Sequence, residues 1–311
     1  MISDGQLNQI VATAVPLIRD LATGRYAIAL AGSRGKAMSD TLSDVDFRLY
    51  RETQPPEAEL TVAEGNLQAA IETWRQQGVE VDRCWTREIA EVDRKLAASL
   101  TGYPEPEPIV WTVSGYHLLT DLMNQQAIDD PDGIIAGWRR QLQTYPTDLK
   151  RAIIDRHWQS LTYWRDDYHY RNKVNREDAI FLAGLTTTLV HDLIQVVFAL
   201  NETYYPGDGN NARYLARFER KPPNLEERLH AALYPTSGSH VYRRQRAVLL
   251  ELIDDLVAFF RQAARVRCIA TPAPGVIWLV NRTYTQPTWF GDGGRAGDPH
   301  HRVLQSEGRH R

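Results

Sequence analysis

Two short groups of residues in the first fifty have the types and spacing to do chemistry: Gly32-Ser33 and, ten residues further on, Asp44-Val45-Asp46. An apolar run over residues 27–31 reads as a buried strand that stops at Gly32-Ser33, where backbone must approach something closely. Residues 43–49, Ser-Asp-Val-Asp-Phe-Arg-Leu, read as a second strand. In it the aspartates at i and i+2 point to one face of the sheet. Like charges side by side on a strand repel, and a divalent cation between them relieves that cost. Alone, Gly-Ser marks a turn and Asp-Val-Asp an edge strand with solvated charges; together, flanked by apolar strands, they point to a cation and a phosphate.

This pattern resembles the Gly-Ser … Asp-x-Asp signature of the nucleotidyltransferase superfamily, which includes DNA polymerase β and the aminoglycoside nucleotidyltransferases. The resemblance implies that Gly32 and Ser33 hold the β- and γ-phosphates of a nucleotide, and that Asp44 and Asp46 hold two Mg²⁺ ions. It also implies a third carboxylate on a neighbouring strand. Residues 79–85, Val-Glu-Val-Asp-Arg-Cys-Trp, alternate apolar with charged and offer Glu80 and Asp82. The run 81–88 resembles the Val-Asp strand and polar helix start of uncharacterised bacterial nucleotidyltransferase-domain proteins, which ranks Asp82 first as metal-binding and catalytic residue. Glu80 fits the Val-Glu-Val of kanamycin-type enzymes and stands second.

The elements that must position these groups begin with a helix capped at Ser3 or Asp4 and ending near Gly24. After the signature, a polar break at Pro55-Pro56 leads to a helix around 67–77, stopped by Gly78, and a further helix over 86–100. The Pro/Glu segment 101–108 reads as an extended linker and sets the expected boundary of a catalytic domain over 1–108. A short apolar run at 109–113 is a candidate edge strand. From Tyr116 the pattern is helical, with breaks at residues 130–133 and 145–146, so residues 109–270 are expected to form a helical substrate- and nucleotide-closing domain. Residues 271–311 are expected to be an extended arm around 275–280 and a tail with almost no apolar residues after Trp289. The fold class expected is α+β: a nucleotidyltransferase fold with a short mixed sheet and flanking helices, then an α-helical bundle.

Over about Asp130 to Asn201, on the phrases 176–179 and 195–201, the chain resembles the helical half of the same bacterial proteins and, loosely, of kanamycin-type enzymes, which in such relatives closes over the nucleotide and supplies acceptor contacts. Asp178 at a helix start reads as a cap. His191, Asp192 and Gln195 interrupt an otherwise apolar helix, so they are either hydrogen-bonded to neighbouring helices or facing a wet cleft. Residues 157–173 are dense in aromatics, acids and bases. The plain reading is an amphipathic helix with its aromatics in the core. The functional one makes Lys173 and Arg176 nucleotide-phosphate contacts and Asp166 or Asp167 the substrate-binding carboxylate. His157 and His169 lack the paired spacing of a metal site and read as surface or hydrogen-bonded residues. The turn-rich stretch 201–211 is a candidate cleft rim.

The chain of 311 residues is long enough for two domains. A net charge of −3 and a pI near 6.3 supply no basic field for gripping duplex nucleic acid, so a small substrate is expected. Cys84 and Cys268 give neither a disulfide framework nor a zinc spacing and read as core thiols of a cytoplasmic protein. The opening residues lack the basic-then-apolar pattern of a signal peptide, and the apolar stretch 179–200 reads as a buried helix rather than a membrane span. The function expected is Mg²⁺-dependent transfer of a nucleoside monophosphate, AMP from ATP as co-substrate, to a hydroxyl of a small molecule, an antibiotic being conceivable. The alternatives are a protein adenylyltransferase of toxin and antitoxin type, and a nucleotide-binding module without chemistry.

Overall fold

The structure is a computed structural model and describes residues 2–41, 43–110, 113–207, 211–236, 238 and 240–269. Ser3 opens the first helix, α1 (Asp4–Arg19): its hydroxyl accepts from the Gln6 amide while the Gln6 side chain accepts from the Ser3 amide. That capping box satisfies amides which a helix start otherwise leaves without partners. Strand β1 (Thr23–Leu30) runs into a one-turn helix, α2 (Gly32–Gly35). Strand β2 (Phe47–Thr53) follows, then α3 (Glu57–Gln76), which starts ten residues earlier than the apolar pattern suggests because Pro56, at its N-cap, ends the extended segment there.

The parallel partner of β2 is β3 (Trp85–Glu88), with Arg48 opposite Trp85 and Arg51 opposite Glu88. This corrects two sequence expectations. Residues 79–85 do not form the strand, and the helix does not begin at 86: β2 extends to Thr53, so residues 85–88 find strand partners, and α4 (Ile89–Leu100) starts only where they end. Upstream, Val45 and Val81 form a single parallel bridge outside the regular strands. A separate hairpin pairs β4 (Glu107–Val110) with β5 (Val113–Gly115). After α5 (His117–Asn124), strand β6 (Gln126–Asp129) adds antiparallel to β1, giving a mixed four-stranded sheet in the order β3-β2-β1-β6. The sheet therefore draws a strand from beyond the Pro/Glu segment. Residues Met1–Phe259 form one compact unit in which residue 108 marks no division of the sheet; Phe260–Arg311 form a second.

Strand alternation sorts the sheet into two faces. Ile28, Leu30, Val45, Phe47, Leu49 and Val81 join one buried cluster with Ile10, Ala14 and Ile18 of α1 and Ala63, Leu67, Ile71 and Trp74 of α3. The other face carries Ala27, Ala29 and Ala31 beside Asp46, Arg48 and Tyr50. Tyr50 is fully buried there, edge-on to Trp138 of α6 (Ile134–Leu142) at 4.8 Å and donating its hydroxyl to Gln125 at 2.9 Å.

The rest is helical: α7 (Thr147–Asp166), α8 (Tyr168–Asn175), α9 (Ala179–Leu200), α10 (Asn211–Arg217), α11 (Leu225–Leu233) and α12 (Val241–Ile269). Asp178 caps α9 by accepting from the Phe181 amide. Among the described residues α9 is the one helix long and apolar enough to cross a membrane, yet more than half of it is buried within the protein against α7 and its neighbours. The protein is thus α+β, with twelve helices and a small mixed sheet among the described residues. The expected arm and tail over 271–311 lie outside the described residues.

Candidate active site

The ladder between β1 and β2 continues one step past β1, the Ala31 amide donating to Asp46 O at 2.9 Å. The chain then turns at Gly32 with φ of +59°, and a Cβ at that position would lie 1.8 Å from Asp46 Oδ2. Only glycine fits both the left-handed backbone and the close carboxylate. Arg34 reaches across the following loop, donating from Nε to Asp44 O at 2.7 Å and from Nη2 to Ser43 O at 2.8 Å. It therefore fixes the backbone that carries the first aspartate. Lys36 donates to Pro206 O at 3.0 Å, tying the same turn to the loop after α9. The Ser33 hydroxyl is buried without a hydrogen-bond partner.

The bridge at Val45 and Val81 aligns the acids. Val45 donates to Glu80 O and Asp82 donates to Val45 O, both at 3.0 Å. Both valines turn into the apolar cluster, so the residues beside them turn the other way, with Asp46 level with Asp82. Oxygens of Asp44, Asp46 and Asp82 come within 4.8 Å of one another. Glu80 stays outside this group, with 72% of its side chain exposed, and pairs with Arg75 at 3.7 Å.

Burial is the main reason that the Asp46 carboxyl is pushed up to about 6; the neighbouring Asp44 charge adds to it, Arg48 opposes it, and Asp82 and Asp121 push further in the same direction. Arg48, with only 12% of its side chain exposed, lies 3.7 Å from Asp46 and donates from Nε to Asp121 Oδ2 at 3.2 Å. Its guanidinium also stands 5.6 Å from the ring of Trp85, whose side chain is largely in solvent. Asp46 thus has three other carboxylates and one guanidinium acting on it, an excess of negative charge that a divalent cation would balance. The donor set fits such an ion: three carboxylates are hard oxygen ligands of the kind Mg²⁺ takes, and glycine at 32 lets the Asp46 carboxylate pack against the turn.

The other residues singled out by sequence have local partners. Lys173 donates to Asp178 at 2.8 Å and stands over the Phe181 ring. Arg176 is the C-cap of α8. Asp166 pairs with Arg165 at 2.9 Å, while Asp167 caps α8 by accepting from the His169 amide. His157 is buried and hydrogen-bonded: Nδ1 meets Asp192 at 2.6 Å and Nε2 meets the Tyr116 hydroxyl at 3.3 Å. Asp192 and Gln195 are both buried: Asp192 Oδ1 meets His157, whereas among the described residues Asp192 Oδ2 and the Gln195 amide nitrogen have no hydrogen-bond partner. Cys84 packs partly buried against the apolar cluster, and the side chain of Cys268 lies outside the described residues.

Sequence reasoning passed over Arg48 and Asp121. Arg48 carried a signal, since i+2 from Asp46 on a strand is the same face. Asp121, 73 residues further on, carried none.

Residues 111–209 match the family model described as Domain of unknown function (DUF4037). That segment takes in the elements from β5 to α9 and includes Asp121, Asp192 and Pro206. A comparison with curated proteins finds no match.

Proposed function

We propose that the chain is a Mg²⁺-dependent nucleotidyltransferase that moves AMP from ATP to a hydroxyl of a small molecule and releases pyrophosphate, on an N-terminal domain of the nucleotidyltransferase fold. The observation that carries this reading is the convergence of Asp44, Asp46 and Asp82 against a turn whose glycine packs on Asp46 and whose serine hydroxyl is buried without a partner. Asp44, Asp46 and Asp82 would hold two Mg²⁺ ions. When bound, such a pair supplies charge neutralisation for the attacking and leaving oxygens of an in-line displacement at phosphorus.

The chain's own residues have distinct parts in this scheme. Gly32 keeps the backbone clear of Asp46, and the Ser33 hydroxyl donates to a non-transferred phosphate oxygen. Arg34 holds the loop that presents Asp44. Asp82 is exposed whereas Asp46 is largely buried, so Asp82 is the carboxylate open to an incoming acceptor and is assigned the proton of its hydroxyl. Lys173 meets phosphate only by leaving Asp178, on which the Arg176 charge also acts. A cytoplasmic location, where ATP is supplied, goes with this reading.

The test is mass spectrometry of small hydroxyl compounds and of protein acceptors after incubation with the full chain, ATP and Mg²⁺, with Asp46→Asn as control. Adenylylated small molecules formed by the wild type alone support the reading. Adenylylated protein would move it to protein modification. Nucleotide binding without transfer would leave a binding module, and transfer undiminished in the control would refute the assigned site.

A further inference from the structure

Arg48 is the only cation among the groups that act most strongly on Asp46, and its geometry is uneven. It makes a hydrogen bond to Asp121 at 3.2 Å but stands 3.7 Å from Asp46, beyond hydrogen-bond range. Nη1 is used instead on its own neighbour's carbonyl, Phe47 O, at 3.3 Å. A guanidinium this buried requires a partner, and Asp121 on α5 supplies one that does not belong to the three converging acids. Arg48 therefore offsets the charge of Asp46 without occupying its oxygens.

From this arrangement we infer that Arg48 is the resident counter-charge of the carboxylate cluster and that Asp121 is a positioning residue which keeps Arg48 from competing with a bound divalent cation. The inference rests on the metal-binding reading above. It gives the segment that matches the unknown-function family a part in the site: α5 holds, through one carboxylate, the arginine of β2. If Asp121 loses its charge, the guanidinium has Asp46 as its one remaining nearby carboxylate and closes on it. If Arg48 loses its charge, the cation that acts most strongly on Asp46 no longer opposes the ion. The two substitutions then act in opposite directions on cation affinity, whereas two residues serving the fold alone would both weaken it.

The experiment is a titration of the full chain with Mn²⁺ alone, followed by electron paramagnetic resonance of the free ion, on wild type, Asp121→Asn, Arg48→Gln and the double variant. Asp121→Asn should bind about tenfold more weakly, about 1.4 kcal/mol, and Arg48→Gln about tenfold more tightly. In the Arg48→Gln background the effect of Asp121→Asn should shrink to below about threefold, the mark of coupling between the pair. Arg48→Lys, which keeps the charge, should stay near wild type, and it decides the matter with Arg48→Gln should Asp121→Asn fail to fold. Weaker binding in Arg48→Gln, or unchanged binding in a folded Asp121→Asn, overturns the inference and leaves the metal site standing. A wild type that binds no Mn²⁺ overturns the metal-binding reading itself and this inference with it.

Discussion

Neutralising Asp46 should make the metal-free protein more stable while destroying its activity. In the fold Asp46 holds its proton up to about pH 6 rather than the ordinary 3.8, so the folded state binds that proton more tightly than the unfolded chain does. The folded pKa is the higher one, so the favourable contribution of protonated Asp46 is fully present below about pH 4 and is lost as pH rises through about 6. Across that interval, at 1.36 kcal/mol for each pH unit, the cost of carrying the charge at pH 7.5 comes to about 3 kcal/mol. Asp46→Asn keeps the shape, removes the charge and escapes this cost. For a protein of this size that is a melting temperature higher by roughly 5 to 10 °C.

The assay is urea denaturation of both proteins with a chelator present, from pH 4 to pH 8. Other carboxylates titrate in the same range, so the informative quantity is the difference between the two stabilities: near zero at pH 4, growing through pH 6 and level above it. Added Mg²⁺ should then stabilise the wild type by mass action and leave the variant unmoved, so the gap narrows or reverses. A variant that is less stable than wild type at pH 7.5 with chelator, or a difference that does not depend on pH, would refute the reasoning. Asp46 would then be a structural acid.

Ser33→Ala should raise the Michaelis constant for ATP more than it lowers kcat, since its hydroxyl meets phosphates held alike in ground and transition states; steady-state kinetics decide it, and stability should not fall, because the hydroxyl has no partner to lose. Asp82→Asn should cost several orders of magnitude in rate and Glu80→Gln little, a pair of kinetic measurements whose reversal would return the third carboxylate to Glu80. Asp192→Ala strands His157 and its bond to Tyr116 inside the helical packing, and chemical denaturation should show a loss of about 3 kcal/mol.

The parts of the fold legible in the sequence were those governed by local rules. Ser3 announced a cap, the alternation around Val45 and Val81 announced which side chains face the apolar cluster, and Gly32 announced a close approach whose object proved to be Asp46. A resemblance of the run 81–88 had ranked Asp82 over Glu80, and the parallel bridge of Val45 and Val81 sets Asp82 level with Asp46. Boundaries failed where pairing partners decided them. Residues 85–88 look like the start of a helix, but β2 offers them a ladder, and long-range hydrogen bonds override the local preference.

What no local rule could show is that the sheet borrows β6 from beyond a segment rich in proline and glutamate, and that α5 delivers Asp121 to Arg48. Both depend on the chain's return to an edge it left about a hundred residues earlier, which leaves no period and no spacing behind. The consequence is chemical as well as topological. Read from the first hundred residues alone, the cluster is three acids and an arginine with nothing to hold it off them. With α5 in place it is three acids, an arginine that softens their repulsion, and a fourth acid that holds the arginine. That arrangement lets the carboxylates persist in the folded chain without an ion, at the cost carried by Asp46, and leaves their oxygens available when one arrives.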